Sequence, residues 1–449
     1  MRRRRAALAA GVWLAGAAWW AASFTAPASA EQRPATEVAP GKGQTFRAAV
    51  QRFTDVSEIP STERAAEFQD ALSRAIEYSG AFEVIDPKAF AGLERKGDFG
   101  SRSRLGCADW TAIGAEVFVE GEIEVDEARY SARFRVWDTA RCKRLLRKGY
   151  RQDASSDPKI AARRIADDVV AAFIGVSGVA STELAFVSDR NGSKEIFLMN
   201  ADGSRQRAIT ANQSINNFPS WSSKGDSIVF TSYRHRNQPA LFVATRGRDG
   251  PERLFARLEP DLSQYRGVFD RVGKRLAVVM TGGGPSEIYT VRPDSRKIRR
   301  ITRNESIDIS PTWSPNGKRI AFASDRSGAP QIYVMDADGG NARRLTYNGY
   351  YNSAPAWSPD GKWIAYETDV GGQFDIWLID PEGKVNVPLI THPRSDEAPT
   401  WAPNSRKLSF SSNRGGEPDI YVIDVGGGKT RRLTETGNNT SPAWGPLPR

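Results

Sequence analysis

Side chains able to do covalent or metal chemistry are scarce in this sequence. Its 449 residues hold two histidines, His235 and His392, and two cysteines, Cys107 and Cys142. Zinc ribbons, iron–sulfur clusters and disulfide-rich scaffolds all need more cysteines than that. An α/β-hydrolase presents its serine on a Gly-x-Ser-x-Gly elbow, and no such pentapeptide occurs. That excludes the serine peptidases that carry a propeller in front of a hydrolase domain. His235 and His392 fall among turn-rich segments, where a histidine is expected at the surface and not as a base. The glycine triplets 282–284 and 426–428 read as hairpin turns, because no helix follows to make a phosphate loop of them. No catalytic residue, metal-ligand set or cofactor motif emerges, so the chain reads as one that binds and does no chemistry.

The residues suited to binding sit at fixed places in a repeat. Asn216, Asn217, Tyr265, Asp308, Tyr351, Asn352, Asp396, Glu397, Asn438 and Asn439 all lie close before or within successive Pro-x-Trp segments. Aromatic anchors beside amides that satisfy backbone groups suit protein docking. The same residue types also cap turns locally, and that reading stands beside the docking one. Asp308, Asp396 and Glu397 could gather a cation, although no calcium motif is present. Asp189-Arg190 and Asp325-Arg326 read as turn-forming pairs between strands.

These residues need a framework, and the repeat supplies it. Pro311-Thr-Trp-Ser-Pro-Asn-Gly returns as Pro355-Ala-Trp-Ser-Pro-Asp-Gly and, eroded, as Pro399-Thr-Trp-Ala-Pro-Asn-Ser. Pro219-Ser-Trp-Ser-Ser-Lys-Gly lies upstream and Pro442-Ala-Trp444 closes the series. Trp313, Trp357 and Trp401 are 44 residues apart, and Trp444 follows after 43. The wider gap after Trp221 holds one more copy, with Phe269 in the tryptophan position. Each copy predicts four short strands: one carrying the Trp, a turn fixed by Pro and Asn/Asp-Gly, a second such as Ile320–Ser324, and a third such as Ile332–Met335. The fourth ends in Arg-Arg-Leu-Thr, as at Arg343–Thr346 and Arg431–Thr434. Four antiparallel strands every 44 residues is the blade of a β-propeller, and six copies over residues 180–449 predict six blades. The series begins on a second strand, Leu184–Ser188, and ends just after a first. The two ends should therefore share a blade and close the ring, leaving no open edge.

The N-terminal third is of another kind. Residues 1–30 combine Arg2–Arg5, an apolar run from Ala6 to Phe24 and a small-residue ending, Ala28-Ser29-Ala30, which is the pattern of a secretory signal peptide. An uncleaved membrane anchor is the alternative. The formal charge of +10, less the four arginines Arg2–Arg5, becomes +6 on the mature chain. Those charges are dispersed through the repeats instead of forming one stripe, so no nucleic-acid partner is implied. Export also means an oxidising compartment, where Cys107 and Cys142 are expected to form a disulfide; two buried free thiols are the alternative. Residues 31–45 are rich in Pro and Gly and read as a flexible leader. Residues 46–176 predict a small α/β domain: a strand near Phe46–Phe53, a helix capped by Ser61 with Phe68, Leu72 and Ile76 on one face, a strand at Phe82–Ile85, and three antiparallel strands at Val117–Glu124, Arg129–Trp137 and Leu145–Arg151. Asp157-Pro158 opens a last helix that Gly175 closes. The fold class is mainly β, a six-bladed propeller preceded by a small α/β domain.

This order of parts, together with Ser79–Ile85 and the segment Trp110–Gly121, resembles the TolB family of the Tol-Pal system over the whole mature chain. The resemblance implies a periplasmic, non-enzymatic adaptor, peripheral to the membranes. In such a protein the propeller binds the peptidoglycan-associated lipoprotein (Pal) at one mouth of its channel, and the N-terminal segment engages TolA. It further implies a role in outer-membrane integrity and in constriction at division. The segment Glu31–Pro40 departs from the family's apolar, strand-forming start, since it contains Pro34 and Pro40 and few β-formers. A divergent exported propeller binding module outside Tol-Pal is the alternative function.

Overall fold

The structure, a computed structural model, describes residues 45–93, 106–235, 238–246, 252–253, 262–295, 297–428 and 430–448. The expected signal peptide and residues 31–44 of the expected leader lie outside them. In order, the N-terminal domain comprises β1 (Phe46–Val50), β2 (Thr54–Asp55), α1 (Thr62–Tyr78), β3 (Phe82–Val84), α2 (Cys107–Ala112), β4 (Val117–Val125), β5 (Arg129–Asp138), β6 (Lys143–Asp153) and α3 (Pro158–Ile174). One sheet runs β3-β1-β4-β5-β6, with β2 paired to β4; β1 is parallel to both its neighbours.

Local chemistry sets the helix ends. Ser61 Oγ accepts the Arg64 amide at the start of α1, and the Asp157 carboxylate accepts the Lys159 amide ahead of Pro158 in α3. Gly80, at φ 74°, and Gly175, at φ 80°, take the left-handed conformations that end the two helices. Phe68, Leu72 and Ile76 of α1 and Ile165 and Val169 of α3 are buried against Val119, Ile123, Phe134 and Val136 of the sheet. On the opposite face Trp110 of α2 stacks on Phe118, with ring centroids 4.0 Å apart. A Cys107–Cys142 disulfide ties α2 to the β5–β6 turn, and so shortens the loops open to the unfolded chain.

Six four-stranded antiparallel sheets follow. Their innermost strands are Asn439–Trp444 in blade 1, Asn216–Trp221 in blade 2, Ser263–Phe269 in blade 3, Asp308–Trp313 in blade 4, Asn352–Trp357 in blade 5 and Asp396–Trp401 in blade 6. Blade 1 is composite: Asn439–Trp444 pairs antiparallel with Glu183–Ser188, Trp444 opposite Leu184. Three of the tryptophans stitch neighbouring blades together. Trp221 Nε1 donates to Ala443 O at 3.0 Å, Trp313 to Val268 O at 3.0 Å and Trp401 to Ala356 O at 2.9 Å. Fourth strands are shorter than the sequence suggests, Arg343–Arg344 and Arg431–Arg432. Leu345 turns into the core, and Thr346 Oγ1 accepts the Ile332 amide at 2.9 Å, which draws the chain off the ladder.

The two domains share one apolar core, which runs from Leu72 and Ile76 through Ala201 and Ala402 to Trp444. Asp167 of α3 fixes the connection between them. It accepts from the Ala180 amide at 2.6 Å, the Ser181 amide at 3.0 Å and Ser181 Oγ at 2.5 Å. Burial nevertheless raises its pKa to about 6, against the lowering effect of those bonds. No helix among the described residues is long and apolar enough to cross a membrane.

Candidate functional site

The two ends of the ring carry different loops. Turns joining first to second and third to fourth strands gather at one end, and there the N-terminal domain docks. Tyr78 Oη donates to Ala201 O at 2.8 Å, Arg163 pairs with Asp202 at 3.1 Å, and Asn404 Nδ2 donates to Ser177 O at 3.0 Å. Gly80 lies so close to Asp424 that a Cβ there would stand 2.7 Å from its carboxylate. The loops that enter each innermost strand gather at the other end, around the open mouth of the channel.

Strand alternation divides the ten expected docking residues. Asn216, Asp308, Asn352, Asp396 and Asn439 each open an innermost strand, and each is fully buried. Each bonds to its own blade or to the blade before it, although Asn352 Oδ1 and Asp396 Oδ2 are left without a partner among the described residues. Asn216 Nδ2 reaches Glu195 Oε2 at 2.9 Å, Asn352 Nδ2 reaches Gln331 Oε1 at 2.8 Å, and Arg190 Nη2 donates to Asn439 Oδ1 at 2.9 Å. Arg326 donates to both Asp308 oxygens at 2.8 Å, and Arg414 to Asp396 Oδ1 at 2.7 Å. In the fold these five latch loops to strands. Asn438 does the same, its side chain donating to Asp189 Oδ2 at 2.7 Å. The arginines of Asp189-Arg190 and Asp325-Arg326 are thus the other halves of the latches.

Asn217, Tyr265 and Glu397 are the next residues on their strands, are half-buried, and take the alternate direction; Tyr351 stands one position before a latch. Beyond them each innermost strand carries a β-bulge whose residue has positive φ: Phe218 (55°), Arg266 (47°), Ser310 (56°), Ala354 (47°), Ala398 (51°) and Ser441 (51°). A non-glycine residue in that region is uncommon, and a bulge re-aims its side chain. Six in register make a ring that sequence reasoning missed. The available signal was position: each immediately precedes the Pro of Pro-x-Trp, or Gly267 in blade 3.

A charged cluster follows from this ring. Arg266 of blade 3 lies over the Phe218 ring of blade 2 at 5.3 Å and donates to Ser310 Oγ of blade 4 at 2.8 Å. Burial lowers its pKa, opposed by the charge of Glu367 in blade 5. Only the propeller axis is common to those four blades, so the guanidinium occupies the channel. Glu367 accepts from Ser353 Oγ and, at 2.8 Å, from the Ala398 amide. Glu397 has its pKa raised to about 7, first by burial and then by the charges of Glu367 and Asp396. Burial and then Glu367 also raise the Tyr351 phenol. Among the described residues no three His, Cys, Asp or Glu side chains converge as a metal site. At the rim Tyr347 and Tyr350 are 73% and 78% exposed, with Arg344 4.8 Å from the Tyr347 ring centre. Neither tyrosine was singled out from sequence. His392 Nδ1 accepts the Arg394 amide at 3.1 Å and so serves its own turn.

Comparison with known proteins decides the family. Residues 35–145 match the TolB amino-terminal domain, and residues 267–448 match the TolB beta propeller domain. The chain belongs to the TolB family. Among curated relatives, the Tol-Pal system protein TolB of Desulfosudis oleivorans is 34% identical over 258 residues, 55% of this chain and 54% of that protein. Its counterpart in Anaeromyxobacter dehalogenans is 32% identical over 285 residues, 64% of this chain and 63% of that protein. The chain thus spans between half and two thirds of the length of these two curated TolB proteins. The crystal structure of TolB from Acinetobacter baumannii superposes with a TM-score of 0.74 at 21% identity, covering 91% of this chain and 98% of that one, which shows a shared fold.

Proposed function

We propose that this TolB-family protein is a periplasmic, non-enzymatic adaptor of the Tol-Pal system. It is exported by the segment 1–30 and acts peripherally to the membranes. Its propeller docks the peptidoglycan-associated lipoprotein at the mouth away from the N-terminal domain, and so supports outer-membrane integrity and constriction at division. The observation that carries this reading is the composition of that mouth. Exposed Tyr347 and Tyr350 lie on the loop that leads into Tyr351, and Arg266, Tyr351 and Glu397 cluster in the channel, so aromatic groups adjoin a partly desolvated polar centre. Interfaces concentrate their binding energy in that kind of arrangement. Asn217 and Tyr265 complete the surface offered to a partner, whereas the six latch residues act indirectly by holding its loops.

Calorimetric titration of the mature protein with its cognate Pal tests the proposal. Wild type should bind. Tyr347→Ala/Tyr350→Ala and Glu397→Lys should each weaken binding by about tenfold or more, as expected for the loss of interface anchors. Failure of wild type to bind Pal would overturn the Tol-Pal assignment. Unchanged affinity in both variants would move the docking site away from this mouth.

A further inference from the structure

At the end of the ring where the N-terminal domain docks, a cavity of about 730 Å³ opens between blades 3 and 4. One wall is the outer hairpin of blade 3, strands Glu287–Arg292 and Lys297–Arg300. Arg292 stands directly opposite Lys297 on this ladder, and Thr290 directly opposite Arg299. Strand alternation puts all four on one face, while Val291 and Ile298 pack into the core behind. Lys318, in the first turn of blade 4, and Asn316 line the opposite wall.

The charges in this cavity are not balanced from within. Among the described residues, no carboxylate lies within ion-pair distance of Arg292, Lys297, Arg299 or Lys318, although ion pairs are frequent elsewhere in the ring. The two acids of the lining serve their own turn: Asp336 accepts from Asn341 Nδ2 at 2.7 Å and Asp338 from the Gly340 amide at 3.1 Å. Among the described residues Arg299 donates to a backbone oxygen, that of Asp338, at 3.2 Å. Like charges directly opposite on a β-ladder are destabilising, and here a third and a fourth cation adjoin the pair. The overall charge gives no hint of this, because the excess is local.

We propose that this cavity binds a phosphate-bearing ligand. A doubly charged phosphoryl group matches the cluster better than a single carboxylate would. Arg292 and Arg299 supply guanidinium forks, Lys297 and Lys318 supply point charges, and the Thr290 hydroxyl and Asn316 amide add neutral donors for the remaining oxygens. The volume is that of a small-molecule site, large enough for a phosphorylated headgroup or sugar. The site is separate from the channel mouth and does not depend on the Tol-Pal reading.

Titration of the full mature chain with inorganic pyrophosphate, and co-sedimentation with phosphatidylglycerol/phosphatidylcholine vesicles, test it and separate a soluble phosphate from a lipid headgroup. The site variant is Arg292→Gln/Lys297→Gln. The control is Lys143→Gln/Arg144→Gln on exposed β6, which removes the same charge. Pyrophosphate should bind wild type and the control alike and raise their melting temperature. The site variant should bind about tenfold more weakly, and without ligand it should melt no lower than wild type, because the like-charge pair is gone. Vesicle binding with the same variant dependence identifies a lipid headgroup, and its absence alongside pyrophosphate binding identifies a soluble ligand. Absence of binding to both probes, or equal loss in site and control variants, overturns the proposal.

Discussion

Asn216 and Asn217 are adjacent residues of identical type with opposite roles. The first is buried and holds Glu195 and two backbone carbonyls; the second is half-buried on the alternate side of the strand. Asn216→Ala should therefore cost about 1–2 kcal/mol, because it removes the buried amide that ties Glu195 Oε2 to the carbonyls of Lys194 and Ser214, while Asn217→Ala should stay within about 0.5 kcal/mol. Denaturant unfolding of the two variants checks this, and equal costs would contradict the division into latch and channel residues. Glu397 makes a prediction in pH. Its pKa rises from the ordinary 4.5 to about 7 in the folded protein, so the native state holds that proton more tightly. Its contribution to stability is therefore present below about pH 4.5 and lost as pH rises through about 7. Glu397→Gln should remove that dependence, so at pH 8 the variant should melt about 2 °C or more above wild type and at pH 5 the gap should close. Melting curves that stay parallel across that range would reject the shifted carboxyl.

At the scale of the element, the blade is a strand set with a bulge near the axis, and in blades 2, 4 and 6 a tryptophan is stitched to the blade before it. Trp313 Nε1 bonds to Val268 O, and Arg275 lies 4.4 Å from the Trp313 ring centre. Trp313→Phe keeps most of the apolar area and loses the bond, so it should destabilise by about 1–2 kcal/mol in chemical denaturation. Blade 3 already carries Phe269 at this position, so its joint to blade 2 lacks the bond. The helix α3 has its own device in Asp167, which gathers the connector through three hydrogen bonds. Asp167→Ala should lower stability by about 2 kcal/mol and speed proteolytic cutting within residues 176–181. A cleavage pattern like that of wild type would show that the connector is held by other contacts.

For the whole molecule, closure of the ring is the decisive event. Removing residues 439–449 strips blade 1 of its innermost strand and bares the edge of Glu183–Ser188. The truncated chain should lose cooperative thermal unfolding and aggregate, as calorimetry and light scattering would register; a sharp native-like transition would argue against closure as the source of cooperativity. Much of this architecture is local information. Trp spacing, Asn/Asp-Gly turns, the Ser61 and Asp157 caps and short, largely apolar runs such as Ile320–Ser324 are properties of short segments, and each is legible without knowing the partner strand. So is the phase of the repeat, which implied the shared blade. Three things were not legible. Direction along the first strand separates Asn216 from Asn217, and residue type is the same on both sides of that alternation. The left-handed residues such as Arg266 and Ser310 are not of types that favour positive φ; the bulge in a closed sheet forces it on them. The chemistry of Glu397, Arg266 and Glu367 arises only when strands up to 131 positions apart meet at one axis and exclude water. Sequence determined the blades, because backbone periodicity and turn chemistry act over a few residues. Tertiary structure alone decided which side chains share the channel, because desolvation and charge coupling depend on distances that exist only once the ring has closed.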